Sequence, residues 1–419
     1  MRFYIETYGC TANHGNSQDF TAALLEMGHS LSPLHEADLV VINTCTVTGR
    51  TERQMIRRLR ELEGDRLVIG GCLPAAMPEA IDDIQYREMV GILSSKAARE
   101  VGESIHIDYT QNSNCIKIVP KDHLCGIVNI SEGCTGRCSY CIVKNARGRL
   151  VSRSPEEIAE SVRSLQRRGI VEIQLASQDA SSYGKDIGTS IPALLRTIAD
   201  IPGRFMIRIG MMNPSTVRPI LDELLDAISS EKIYKSLHLP LQSGSDRVLE
   251  SMNRYYSVED FVYIVDCFRE EFPDLTLTTD VIVGFPGEEE DDFNATANLI
   301  GRIEADKVNV TRFSRRPHTS AWEMPDILER VKKARSRVLT RIWQETAMKR
   351  NSLYLGRAIP TLVTERGYGM TMKARSKSYR GIVIRGSPAL GSEPLVNIVG
   401  YNPFYLKGIV QRSEDLQSN

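Results

Sequence analysis

Three cysteines within eight residues, Cys134, Cys138 and Cys141 in the run Glu-Gly-Cys-Thr-Gly-Arg-Cys-Ser-Tyr-Cys, constrain this chain more than anything else in it. A loop so short brings neighbouring sulfurs to adjacent corners of one cubane cluster, so that three thiolates hold three irons and leave the fourth open. A tetrahedral zinc site needs a fourth ligand, and no His lies close by in sequence. A zinc knuckle and incidental thiols are the competing readings.

Near the start, three short apolar runs, Arg2 to Tyr8, Leu39 to Asn43 and Leu67 to Gly70, are each followed closely by a cysteine. The segments between them, around Ser17 to Met27 and Thr51 to Glu63, have the length and apolar spacing of helices. Strand, helix, strand, helix, strand predicts a parallel sheet whose strand ends converge on one edge, where ligands bind. Cys10, Cys45 and Cys72 therefore gather in space, and three convergent thiolates suit a second cluster. Taken singly, each reads as a small buried hydrophobe; three in the same topological position favour a metal site.

A weaker stretch from Tyr109 to Leu124 links this region to six further strand patterns: Gly126 to Ser131, Glu172 to Ala176, Arg204 to Ile209, Ser236 to Leu241, Leu275 to Val283 and Lys307 to Phe313. Helical patterns such as Pro155 to Arg168 and Val258 to Glu271 alternate with them. Six such units predict an open, partial β/α barrel rather than a closed ring of eight, with the cluster loop after its first strand on the C-terminal face. A basic helix from about Asp326 to Leu353 follows. Residues 357–411 then carry short strands, Thr361 to Glu365, Gly381 to Ile384 and Val396 to Val399, that predict a small all-β barrel. The fold class is thus α/β, with an N-terminal parallel α/β domain over 1–108, a partial β/α barrel over 120–350, and a small β-barrel over 355–412, in line with the two or three domains expected of 419 residues.

The net charge of -1 conceals an uneven distribution. Residues 326–412 hold 17 Lys and Arg against 5 Asp and Glu, a net of +12, which leaves the remainder near -13. A basic end on an acidic chain is the footprint of a polyanion-binding appendage, the alternative being a solvated charged surface. No stretch is apolar enough to span a bilayer, and the first residues lack the charged head and apolar run of a signal peptide, so a cytoplasmic protein without membrane partners is expected. Nine cysteines, an odd number, fit metal ligation or inert thiols better than disulfides; Cys115, Cys125 and Cys267 match no ligand pattern.

With Tyr140 just before its last cysteine, the CxxxCxxC resembles the signature of the radical S-adenosylmethionine (SAM) enzymes. More of the chain resembles one family among them, the radical SAM methylthiotransferases: Tyr-Gly-Cys-Thr-Ala-Asn at 8–13, Asn-Thr-Cys at 43–45, Gly-Gly-Cys-Leu-Pro at 70–74, His-Leu-Pro-Leu-Gln-Ser-Gly-Ser-Asp at 238–246 and Thr-Asp-Val-Ile-Val-Gly-Phe-Pro-Gly-Glu at 279–288. The resemblance implies two four-iron, four-sulfur (4Fe-4S) clusters, on Cys134, Cys138 and Cys141 and on Cys10, Cys45 and Cys72. It also implies a C-terminal TRAM barrel. In that family the central cluster chelates SAM, which an electron cleaves to methionine and a 5′-deoxyadenosyl radical, while the second handles the sulfur. Tyr140, Gln178, Arg208, Gln242 and Asp280, by position, are expected to contact or orient SAM; a strand-end polar residue can equally cap a helix. The family commonly has a Pro-Arg-Pro-Gly-Thr-Pro-like run after the sixth strand, where this chain has Arg315-Arg316-Pro317-His318-Thr319-Ser320, which puts the local backbone in question.

Three functional classes follow. The leading one is a transfer RNA enzyme placing a 2-methylthio group beside the anticodon, and the segment 176–188 is most similar to the branch acting on N6-threonylcarbamoyladenosine at position 37. Arg315 and Arg316 are then the expected partners of that substrate's carboxylate, against a plain role as surface charges beside a turn. The isopentenyladenosine branch is the runner-up. A ribosomal-protein aspartate methylthiotransferase gives no reason for the +12 end, and a non-catalytic RNA-binding or iron-sulfur scaffold does not require two cysteine triplets. The tRNA anticodon loop, an electron donor and a sulfur source are the implied partners.

Overall fold

Parallel pairing accounts for the burial of the strand Leu39–Thr44 at all six positions, because a parallel sheet is covered on both faces. The computed structural model describes residues 1–103 and 123–411. In its first part five parallel strands stand in the order Ser30–Leu31, Arg2–Thr7, Leu39–Thr44, Gly64–Gly71, Tyr86–Met89. Side chains alternate across the sheet: Leu39 and Val41 join Phe3, Phe20 and Leu24 on one face, whereas Val40 and Ile42 meet Met55 and Leu59 on the other. The two outermost strands were not expected from sequence. Ser30–Leu31 is two residues long and Tyr-Arg-Glu-Met at 86–89 alternates in exposure, as edge strands do, so neither forms an apolar run. The expected link at 109–124 lies almost wholly outside the described residues, as do the expected ends at 108, 120 and 412, and Cys115.

Six strands form the partial barrel, in sequence order around an arc: Cys125–Asn129, Glu172–Ala176, Met206–Ile209, Ser236–His238, Thr276–Val283 and Lys307–Arg312. The arc is two three-stranded parallel ladders. Single hydrogen bonds join them, Ile207 N to Lys232 O at 2.7 Å, Tyr234 N to Ile207 O at 3.0 Å and Met212 N to His238 O at 2.9 Å. The first and last strands are not paired, and the N-terminal part spans the gap between them. On one side helix Thr11–Glu26 lies against the first strand, with Asn129 Nδ2 donating to Ala12 O at 3.1 Å and Ile127 N to Gln18 Oε1 at 3.0 Å. On the other, the loop after Lys307–Arg312 reaches back, where Gly49 N donates to Ser314 Oγ at 3.1 Å and buried Arg316 pairs with Glu52 and donates to Thr46 Oγ1 at 2.7 Å. His318 in this loop takes φ +60°, the left-handed conformation a glycine adopts freely. Asn145 Nδ2 holds its carbonyl at 2.9 Å and Glu79 Oε1 lies 3.3 Å from its ring, so the expected irregularity is absorbed by contacts.

Helix Glu329–Ser352 leads to a closed five-stranded barrel of Ala358–Arg366, Thr371–Ser376, Gly381–Arg385, Leu406–Val410 and Leu395–Tyr401 in spatial order. Strands Thr371–Ser376 and Leu406–Val410 escaped the sequence reading because charges interrupt them: in Thr-Met-Lys-Ala-Arg-Ser only Met372 and Ala374 reach the apolar core. This barrel seats against the N-terminal ends of the partial barrel's strands. Part of the basic excess is spent there: Arg380 Nη2 and Arg350 Nε each lie 2.7 Å from Asp306 Oδ1, Arg375 faces Glu172, and Lys377 pairs with Glu231. No helix among the described residues is long and apolar enough to cross a membrane.

Asp306 is only 3% exposed, so changing it to Asn strands two guanidinium groups, a loss of about 3–5 kcal/mol. Thermal or urea unfolding of D306N should read that loss. Burial works against the charge of Asp306, but Arg380 and Arg350 outweigh it and hold the carboxyl below the usual range. Its contribution is therefore full above the unfolded value of about 4 and is lost as pH falls through the lower folded one, so D306N should lack that part of the acid limb.

Candidate active site

Strand register fixes the first triplet of cysteines. Thr7 pairs with Asn43 and Thr44 with Gly71, so three neighbouring strands end level. Cys45 follows one of them directly and Cys72 opens the short helix Cys72–Ala76, while Cys10 sits at the N-cap of helix Thr11–Glu26. Gly9 takes φ +106°, and a Cβ there would lie 2.9 Å from Cys45 Cβ, so only glycine lets the two segments approach. Asn13 is the local strut: its Nδ2 donates to Tyr8 O and Thr44 O at 2.8 and 2.9 Å, leaving Oδ1 3.6 Å from Cys72 Sγ.

The second triplet hangs on a loop beyond the first strand of the partial barrel. Gly133 turns it at φ +74°, where a Cβ would strike Arg149 O at 2.0 Å. Gly136 N donates to Cys134 Sγ and Arg254 Nη1 to Cys138 Sγ, each at 3.2 Å. Tyr140 packs against an apolar cluster, edge-on to Phe285 with centroids 6.4 Å apart.

Both triplets line one cavity of about 450 Å³. It is also lined by Tyr140, Gln178, Arg208, Gln242 and Asp280, the five residues placed there by sequence position. The side-chain carbonyl oxygens of Gln178 and Gln242 are buried without a hydrogen-bond partner among the described residues, and Gln242 adopts φ +67°. An unsatisfied buried acceptor costs free energy unless a ligand donates to it, so these two oxygens point to a bound donor. Asp280 accepts from Asn309 Nδ2 at 2.6 Å and from His238 Nε2 at 3.2 Å. Burial opposes its charge, but those bonds outweigh it and hold the carboxyl below its ordinary value.

Burial pushes the thiols of Cys72 and Cys141 up to about 11 and raises those of Cys45 and Cys134 as well. Thiolates in such surroundings call for cations, and a coordinating thiol is deprotonated outright by its metal. Among the described residues no three Cys, His, Asp or Glu converge closely enough to hold a single ion; in a cubane each thiolate meets a different iron, so the donor set suits clusters.

Arg315 and Arg316 do not line the cavity. Arg316 is consumed in the buried pair with Glu52, and Arg315 donates to Trp322 O and stacks on its ring, 4.9 Å from the centroid. Sequence position alone could not reveal that Arg316 helps to close the gap between the barrel's ends. Among the residues of the cavity not singled out from sequence are Arg254, Asn309 and Arg147. Arg147, six residues beyond Cys141, is buried between the two triplets. Cys125 is buried against Glu172 and Cys267 packs on the main core, both away from the cavity.

Residues 128–300 match the radical SAM superfamily, and residues 2–91 match a family described only as the uncharacterized protein family UPF0004. A probable threonylcarbamoyladenosine tRNA methylthiotransferase of Archaeoglobus fulgidus is 42% identical over 92% of this chain and 94% of its own length. The corresponding protein of Methanocaldococcus jannaschii is 35% identical over 97% and 96%, and the threonylcarbamoyladenosine tRNA methylthiotransferase of Homo sapiens 31% identical over 97% and 74%. Among solved structures, the radical SAM methyltransferase TsrM of Kitasatospora setae superposes with a TM-score of 0.56 over 77% of each chain at 19% identity, a likeness of fold.

Proposed function

Because the chain belongs to the radical SAM methylthiotransferases, within the threonylcarbamoyladenosine tRNA branch, we infer that it places a methylthio group on C2 of N6-threonylcarbamoyladenosine at position 37 of transfer RNA. The observation that carries this reading is the shared cavity: two cysteine triplets from separate parts of the fold open onto one space of about 450 Å³. Cys134, Cys138 and Cys141 would hold one 4Fe-4S cluster and Cys10, Cys45 and Cys72 the other; between them such clusters supply the electron that cleaves SAM and a site for sulfur.

The protein's own groups bind, orient and seal. Gln178 and Gln242 offer their unpaired carbonyl oxygens to the methionyl ammonium of SAM. Asp280, anchored by His238 and Asn309, presents an ionised carboxylate for a ribose or amine donor. Tyr140 and Phe285 wall the cluster loop from water. The N-terminal part, spanning the open side of the barrel, keeps both sets of thiols facing the same base.

The RNA grip falls to exposed cations not used in seating the small barrel: Arg330, Lys333, Arg337 and Arg341 along the long helix, and Arg385 and Lys407 on the barrel, with Tyr368 fully exposed on a hairpin where a base could stack. Nucleoside mass analysis after anaerobic reconstitution tests the function. RNA bearing threonylcarbamoyladenosine should gain the 2-methylthio group, and unmodified or isopentenylated RNA should not. Turnover of the isopentenylated RNA alone would move the chain to that branch.

A further inference from the structure

Two cavities meet inside the partial barrel. The larger holds the cysteines; the second, of about 370 Å³, lies between the strand starts and the small β-barrel. Arg208, His238 and Asn309 line both. His238 and Asn309 are committed to Asp280. Arg208 is not: among the described residues its guanidinium makes no hydrogen bond or ion pair, only a cation–π contact with Tyr379, 5.1 Å from the ring centroid. A half-buried fork of five donors without an acceptor is built for a planar anion. The second chamber adds Lys307, Arg375 and Arg380, while Asp306, the one carboxylate on its described wall, is already neutralised by Arg350 and Arg380.

We propose that Arg208 reads the carboxylate of the N6-threonylcarbamoyl group, and that the chamber behind it receives the threonyl end. This rests on the function inferred above. In adenine, C2 and C6 both flank N1, so the bonds leaving them diverge. A base that turns C2 toward the cysteines sends its N6 group elsewhere in the barrel, and among the described residues Arg208 is the uncommitted guanidinium that lines both cavities. A neutral isopentenyl group gives that guanidinium nothing to bind and leaves it desolvated without a partner, which is a basis for rejection as well as recognition. The carboxylate of SAM is the competing anion.

The test uses the reconstituted full-length protein and two anticodon stem-loops, one with threonylcarbamoyladenosine and one with its carboxamide, which keeps the shape and removes the charge. Product rates and dissociation constants are measured for wild type, R208K and R208Q. Wild type should favour the acid by about 10- to 100-fold, as expected for charge-assisted bonds. In R208Q the acid-to-amide ratio should fall toward one, with R208K between. If R208Q turns over too slowly, the ratio of dissociation constants carries the same information. A wild type indifferent to the charge, or an R208Q that keeps the preference, overturns the assignment. A weaker affinity for SAM with an unchanged acid-to-amide ratio overturns it in favour of the cofactor. Wild-type turnover of isopentenylated RNA in place of both stem-loops would instead overturn the function.

Discussion

Protein in which Cys10, Cys45 and Cys72 are all Ala is expected to hold about four irons instead of about eight after anaerobic reconstitution, and to yield no methylthiolated RNA while still releasing 5′-deoxyadenosine from SAM. The two triplets are built independently. One stands on three level strand ends of a parallel sheet, the other on a single loop turned by Gly133, and no cysteine segment is shared between them. Removing the first therefore leaves the loop, Gln178 and Gln242 in place. Alanine at Cys134, Cys138 and Cys141 should abolish 5′-deoxyadenosine and product together, since SAM then has no open iron beside those glutamines. Iron analysis, electron paramagnetic resonance and chromatography of the two products read all of this. Eight irons in the first variant, or any methylthiolated RNA from it, would remove Cys10, Cys45 and Cys72 from their assigned role.

What sequence carried well was local and periodic. Glu172–Ala176 and Val258–Glu271 stand at the expected bounds because a short apolar run and a capped amphipathic pattern each encode their own limits. The gathering of Cys10, Cys45 and Cys72 was legible because parallel strands put their ends on one edge whatever the loops do. Contacts between distant segments were not. Nothing in the order Arg315-Arg316 says that one arginine will be buried against Glu52 and the other stacked on Trp322, since the first outcome depends on where the N-terminal part docks and the second on how the loop folds back on itself. The basic end was legible as a sum but not in its use: Arg350, Arg375, Lys377 and Arg380 face carboxylates of the acidic body, so part of the charge asymmetry holds the molecule together.

Arg147→Met should cost about 3–5 kcal/mol in stability and uncouple SAM cleavage from product formation. Its side chain is 1% exposed, on the short helix Val143–Arg147 that follows the cluster loop, and its partners lie across the joint as well as beside it. Nη2 donates to Asn13 Oδ1 at 2.6 Å and Asn16 Oδ1 at 2.9 Å, both on helix Thr11–Glu26, and Nη1 pairs with Glu132. Methionine fills much of the space but takes the guanidinium from two buried amide oxygens and from the partly exposed Glu132, and removes a cation that lies close to both Cys10 and Cys72. Asn13 is the strut that holds the Cys10 segment to the Cys45 strand, so slack there spreads to the spacing of the two triplets. The expected readout is a lowered unfolding midpoint, faster hydrogen exchange in Thr11–Glu26, and a ratio of 5′-deoxyadenosine to methylthiolated RNA raised at least tenfold. Lysine restores the charge without the fork, and its point charge cannot serve Asn13, Asn16 and Glu132 at once. R147K should therefore recover part of the stability but little of the coupling. A wild-type product ratio in R147M would mean that the spacing of the triplets is set by the Arg316–Glu52 side of the gap alone.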